Sequence, residues 1–262
     1  MQFLAEAVFV FSGLFWIYSK RGYKGSWTFS LKQAKYLLSQ SWPLIISSTA
    51  WIIYTKIDQV MIGQMLDDNN VGLYSAASKL SEIANFIPAI IAFSFIPMIL
   101  KLKEKDRDKY ERYFQILYYL IITLTIIVAI FVTSISGEVI KLLYGESFLG
   151  SEKVLSIHFW IVVLVALATI SGRYLVNDNL QTITMKRHVL GACLNIPFNY
   201  IAIQKYGING AAYASLLSLF IANYVFDALD SKTRTIFIHK TKALSFFWIY
   251  ELFISENNRK KT

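Results

Sequence analysis

Seven stretches of the chain are long and apolar enough to cross a bilayer: residues 2–19, 41–65, 71–100, 112–135, 154–176, 183–203 and 208–229. A crossing helix needs about 20 consecutive apolar residues at a rise of about 1.5 Å each. In hydrocarbon no water satisfies the backbone, so runs of this kind must pair their N–H and C=O groups internally, as helices do. The expected fold class is all-α, a polytopic membrane helical bundle of about seven transmembrane helices. Charged residues are only 16% of the 262, against about 25% in soluble domains. That argues against a water-facing globular enzyme and, for the bulk of the chain, against disorder.

The charges between the runs alternate. The stretch 20–40 holds Lys20, Arg21, Lys24, Lys32 and Lys35, whereas 66–70 holds Asp67 and Asp68 and nothing basic. The stretch 101–111 carries Lys101, Lys103, Lys105, Arg107 and Lys109, and Arg112 follows. The next loop, 136–153, balances Lys141 and Lys153 against Glu138, Glu146 and Glu152. Arg173, Lys186 and Arg187, and in the tail Lys232, Arg234, Lys240, Lys242, Arg259, Lys260 and Lys261, join the rich side and Lys205 the poor one, so 21 basic residues fall on one side of the membrane and three on the other. The positive-inside rule makes the rich side cytoplasmic. The net charge of +9 is then a topology signal, and nucleic acid is not an expected partner. The same orientation starts the first helix outside. Gln2–Ser19 has no basic leader and carries Glu6, so it is a poor signal peptide, and earlier helices are expected upstream. Residues 1–40 read as the last helix of a first lobe plus a basic cytoplasmic linker, 41–230 as a six-helix C-terminal lobe, and 231–262 as a basic cytoplasmic tail. Within the tail the apolar and aromatic run 243–254 is too short to span and reads as an interfacial helix.

All four prolines, Pro43, Pro88, Pro97 and Pro197, lie in or at the start of apolar runs, where each frees a carbonyl and bends its helix. The single cysteine, Cys193, excludes a disulfide framework and reads as a small buried hydrophobe.

The stretches SWPLIISSTAWIIYTKIDQVMIGQML (41–66) and VGLYSAASKLSEIANFIP (71–88), with LLYGESF (142–148) and YGINGAAYAS (206–215), resemble the polysaccharide flippases of bacterial membranes. These are the O-antigen and polysaccharide-unit exporters of the multidrug/oligosaccharidyl-lipid/polysaccharide superfamily. The resemblance covers about residues 1–230 and implies a transporter of two helical lobes around a central cavity. It implies a multi-pass protein of the bacterial plasma (inner) membrane that exports undecaprenyl-pyrophosphate-linked oligosaccharide for O-antigen or capsular polysaccharide synthesis, alongside polysaccharide polymerase machinery. Relative to that pattern the first lobe is missing, so the chain corresponds to a C-terminal part.

Ionisable groups at membrane depth need a partner or a wet cavity. Lys56 and Asp58 sit two residues apart on different faces of one helix, so each must look elsewhere. Lys79 and Glu82 are spaced i, i+3 and are expected to pair locally, and Asp58 is within reach of Lys79 across the tight 66–70 loop. As cavity candidates, Lys56, Lys79 and Arg173 supply cations for a pyrophosphate headgroup. Asp58 or Glu82 supplies a site for a coupling proton or Na⁺. Gln59, Asn195, Asn199 and Asn223 supply hydrogen bonds for sugar hydroxyls, or between helices. Arg173 lies near a helix end, where snorkelling is the simpler role.

There is no GxxxxGK[ST] loop, no HExxH and no GxSxG, and His158, His188 and His239 are too scattered to hold a metal. Asp106-Arg107-Asp108 matches DxD only as a solvated loop. No catalytic residue and no cofactor is expected. The rival readings are a multidrug/cation antiporter of the same superfamily, whose cavity should carry acids and aromatics, and an integral-membrane glycosyl- or acyltransferase.

Overall fold

The computed structural model describes residues 2–20 and 29–245. These form two units by contact clustering, 1–41 and 42–262, with the division inside one helix. The first unit contains α1 (Gln2–Lys20). α2 (Leu31–Met65) starts inside the stretch that composition reads as a linker and carries Pro43 in its interior.

In the second unit, α3 (Asp68–Ala84) and α4 (Phe86–Leu100) follow, separated at Asn85. Pro88 three residues later has no N–H to continue the ladder from α3, and the expected bend falls there. The long α5 (Arg107–Ser134), α6 (Ser136–Tyr144), a 3₁₀ turn (Glu146–Ser151) and α7 (Glu152–Asn177) come next. α8 (Gln181–Phe220) passes through a π-turn (Ile221–Val225) into α9 (Phe226–Leu229). A second 3₁₀ turn (Ser231–Thr233) leads to α10 (Arg234–Leu244). Acidic side chains start two of these helices: Asp67 accepts from the Asn70 N–H at 2.8 Å and Asp106 from the Lys109 N–H at 3.0 Å, each satisfying a donor that the first turn leaves open.

The face that α5 buries consists of Tyr110, Phe114, Leu117, Tyr118, Ile121, Ile122, Thr125, Ile126 and Ala129, a three-and-four spacing that draws one stripe along a helix. It packs on α7, which in turn packs on α3 and α8. The opposite side of α5 exposes Ile116, Leu120, Ile127, Ile130 and Phe131. A soluble helix would turn polar residues outward there. An outward face this apolar belongs in lipid, and the bundle is a multi-pass membrane fold.

The helix count differs from expectation. Among the described residues, four helical runs, not about seven, are long and apolar enough to cross a membrane: 68–100, 107–134, 146–177 and 181–229. α1 offers only Val8–Lys20 as a shorter apolar helix. α2 has the length, but Lys32, Lys35, Lys56 and Asp58, with several Ser, Thr and Gln, dilute its hydropathy. The stretches 183–203 and 208–229 belong to one helical run of 49 residues. Cys193 is exposed rather than buried, because the outward face of such a bundle is apolar too. From residue 246 on, the expected interfacial segment 243–254 lies outside the described residues, as do Arg21, Lys24, Arg259, Lys260 and Lys261.

Candidate functional site

A reversal inside α8 builds the site. Gly207 has φ +57 and ψ −138, a conformation that only glycine adopts without strain. The helix folds back there so closely that a Cβ on Gly210 would stand 2.0 Å from the Ala202 carbonyl oxygen. As a result Asn195 and Asn199, before the break, and Ser215 and Ser218, after it, face the same point.

That point is Asp58 of α2, which is 4% exposed. Tyr74 of α3 donates to Asp58 Oδ2 at 2.6 Å, Ser215 to the same oxygen at 2.6 Å, and Asn199 Nδ2 to Oδ1 at 2.7 Å. A buried carboxylate needs such donors to be tolerated. Around them runs a second layer. Asn195 accepts from Asn199 at 2.9 Å and donates to Ser215 and Ser218, while Tyr54 donates to the Ser215 carbonyl at 2.5 Å. His158 of α7 places Nε2 3.1 Å from the Tyr74 hydroxyl and Nδ1 3.2 Å from Ser81 Oγ. Four helices therefore meet at one carboxylate.

The cluster opens into a cleft of about 500 Å³, mouth included, between α2, α3 and α7. Its lining holds two acids, Asp58 and Glu82, the rings of Trp51, Tyr54 and Tyr74, and His158, with hydroxyls from Thr55, Ser78 and Ser81. No lysine or arginine lines it among the described residues. Asn85 Oδ1 is buried there without a hydrogen-bond partner among the described residues. Among the described residues no group of three or more His, Cys, Asp and Glu is placed to hold a metal ion.

Of the nine residues singled out in the sequence, the structure gathers three, Asp58, Asn195 and Asn199, into this cluster. Glu82 lines the cleft but takes Lys56 as its partner, at 2.9 Å, both side chains being about half exposed. The expected Lys79–Glu82 pair is not formed, and Asp58 meets Tyr74, Ser215 and Asn199 rather than Lys79. Gln59 donates to Ser78 at 3.4 Å. Arg173 lies over the Phe93 ring at 4.4 Å, away from the cleft. Asn223 donates to the Leu219 carbonyl in its own helix at 3.3 Å. Sequence reasoning missed Tyr54, Tyr74, His158, Ser215 and Ser218. Tyrosine and serine are common in membrane helices, and only the fold-back at Gly207 brings these together.

Comparison with known proteins finds one matching family and several partial-length relatives. A family model described as polysaccharide biosynthesis protein matches residues 1–153. The "Probable low-salt glycan biosynthesis flippase Agl15" of Haloferax volcanii is 28% identical over 205 residues, covering 76% of this chain and 42% of that protein. The "Capsular polysaccharide biosynthesis protein CapF" of Staphylococcus aureus is 23% identical over 189 residues, covering 69% of this chain and 46% of that one. The chain thus spans under half the length of these two relatives. An outward-facing multidrug resistance MATE family transporter of the MOP superfamily shares the fold, with a TM-score of 0.62 at 19% identity over 75% of this chain and 45% of that one.

Proposed function

The chain belongs to the polysaccharide biosynthesis protein family, and on that premise we propose that it serves membrane export of an amphiphilic cargo, with Asp58 as the group that exchanges a coupling cation. The observation that carries this is a buried carboxylate held by donors from three directions and opening on a cleft. A group so placed gains or loses charge at a large energetic difference, which is what ties ion movement to a change of helix packing. Residues 41–230 act as one lobe of a two-lobed transporter, and no catalytic step is required of it.

Two cargoes compete. The family and the two curated relatives support a lipid-linked oligosaccharide, exported at a plasma membrane and handed to polymerase machinery. Ring faces of Trp51 and Tyr54 beside Thr55, Ser78 and Asn85 suit sugar. The cleft lining itself favours the other reading, a multidrug/cation exporter: Asp58 and Glu82 among aromatic rings, and no lysine or arginine for a pyrophosphate. On geometry alone the cationic amphiphile fits better.

The deciding experiment reconstitutes the complete two-lobed transporter that contains this chain in vesicles with a pH or Na⁺ gradient and follows a fluorescent lipid-linked oligosaccharide and a cationic dye in parallel. Gradient-dependent movement of one cargo, lost in Asp58→Asn, is the expected result and names the cargo. Movement of neither, or gradient-dependent transport unchanged in Asp58→Asn, overturns the proposal.

A further inference from the structure

Away from the cleft the bundle buries a second charged cluster. Arg187 of α8, Asp227 of α9 and Lys240 of α10 meet with side chains 2%, 0% and 0% exposed. By loop counting, Arg187 and Lys240 belong to the cytoplasmic side; in the structure they are among the most completely buried side chains. Arg187 Nη2 pairs with Asp227 Oδ1, and Lys240 Nζ stands 2.9 Å from Asp227 Oδ2. Two cations therefore share one carboxylate where no water reaches.

The hydrogen-bond inventory is unbalanced in the same sense. A protonated lysine brings three N–H donors, but it meets two acceptors, Asp227 Oδ2 at 2.9 Å and the Asn223 carbonyl at 2.6 Å. Arg187 Nη1 donates to Ser171 Oγ at 3.1 Å, and its Nε is buried without an acceptor among the described residues. A neutral lysine amine has two N–H groups, which match its two acceptors. It also leaves the Arg187–Asp227 pair at zero net charge. Removing one proton thus eliminates both the surplus charge and the surplus lysine donor, leaving in this cluster only Arg187 Nε unpaired among the described residues.

We propose that Lys240 is a proton-exchange site, distinct from Asp58, whose neutral form holds α10 against the bundle. Burial pushes the Lys240 ammonium down to about 7, with Asp227 opposing that shift and Arg187 adding to it. The sign follows: a lysine whose folded value is depressed is destabilised by protonation, so acid loosens α10 and alkali tightens it. Other titratable or charged groups also face this helix. From α5, Glu111 Oε2 stands 3.0 Å from His239 Nε2, and Tyr118 stacks on the His239 ring. From the preceding turn, Asp230 accepts from the Lys232 N–H, with Lys232 exposed. His239 is thus the rival source of any pH response.

Hydrogen exchange of the amides of 234–244, measured on the full chain in a bilayer mimic from pH 6 to 9 and corrected for intrinsic chemistry, tests this. The expected result is protection that rises above pH 7 by about tenfold per unit. Lys240→Met removes the surplus charge and should give high, pH-independent protection. Arg187→Met leaves a one-to-one Lys240–Asp227 pair and should move the transition to higher pH. His239→Gln should keep it. Flat protection in the wild-type chain, or a transition that survives in Lys240→Met and vanishes in His239→Gln, overturns the proposal.

Discussion

Lys56 reaches Glu82 across from α2 to α3 at 2.9 Å, while Lys79, one turn away on the same helix as Glu82, takes no part in the pair. The link spans 26 positions and ties α2 to Glu82, which lines the cleft. With both side chains about half exposed, the pair should contribute little to stability, about 0.2–1 kcal/mol. A double-mutant cycle with Lys56→Ala and Glu82→Ala should return a coupling in that range that shrinks with added salt. A Lys79→Ala cycle with Glu82→Ala should return none. If the pair sets the cleft wall, Lys56→Ala should reduce transport in the vesicle assay more than it reduces thermal stability.

Asp58 has the opposite profile. Truncating it to alanine leaves the Tyr74, Ser215 and Asn199 donors without their acceptor, and each buried orphan costs about 1–3 kcal/mol unless it finds another partner. Asp58→Ala should lower the unfolding midpoint clearly in detergent. Asp58→Asn, which keeps the volume, should cost less stability yet still remove gradient coupling. Equal stability losses in the two variants would argue against this division.

Gly207→Ala places a methyl group at φ +57, ψ −138, with an expected strain of about 1–3 kcal/mol. Because both arms of α8 serve Asp58, the variant should also disturb the cluster. Cysteine pairs placed across the arms should cross-link more slowly than in the unmutated reversal.

The start of α5 gives a pH test at the protein surface. The Lys109 side chain and backbone N–H both bond to Asp106 and hold its carboxyl below its ordinary value of 3.8. A depressed carboxyl stabilises the helix start above its unfolded value, and that support is lost as pH falls through the folded one. Amide exchange in the first turn of α5 should therefore speed up, relative to intrinsic rates, only in strong acid. In Asp106→Ala the first turn should exchange fast at neutral pH and show no further acid step.

The membrane class, the break before Pro88 and the need of Asp58 for partners on other helices were legible in the residues, each for a local reason. A charge inside an apolar run must find a partner, and Asn195 and Asn199 stand out against their surroundings in the same way. The partners themselves were not legible. Tyr74 and Ser215 look unremarkable in sequence, and which side chains reach Asp58 depends on the fold-back at Gly207. Helix counting failed for a related reason. Residues 183–203 and 208–229 are joined without a loop at the Gly207 reversal and so make one run rather than two, and α2 is long but polar. Charge counting by loops assigned Arg187 and Lys240 a side of the membrane but gave no sign of their burial, which only packing decides.

The separation of Asp58 from its partners bears on how the protein is made. Asn199 lies 141 positions and Ser215 157 positions downstream of the carboxylate they hold. During synthesis Asp58 enters the membrane long before either donor exists, with only Tyr74 close behind it. Until both arms of α8 are made, the acid has at most one of its three donors, so its hydrogen-bond shell is among the last parts of the bundle to be completed.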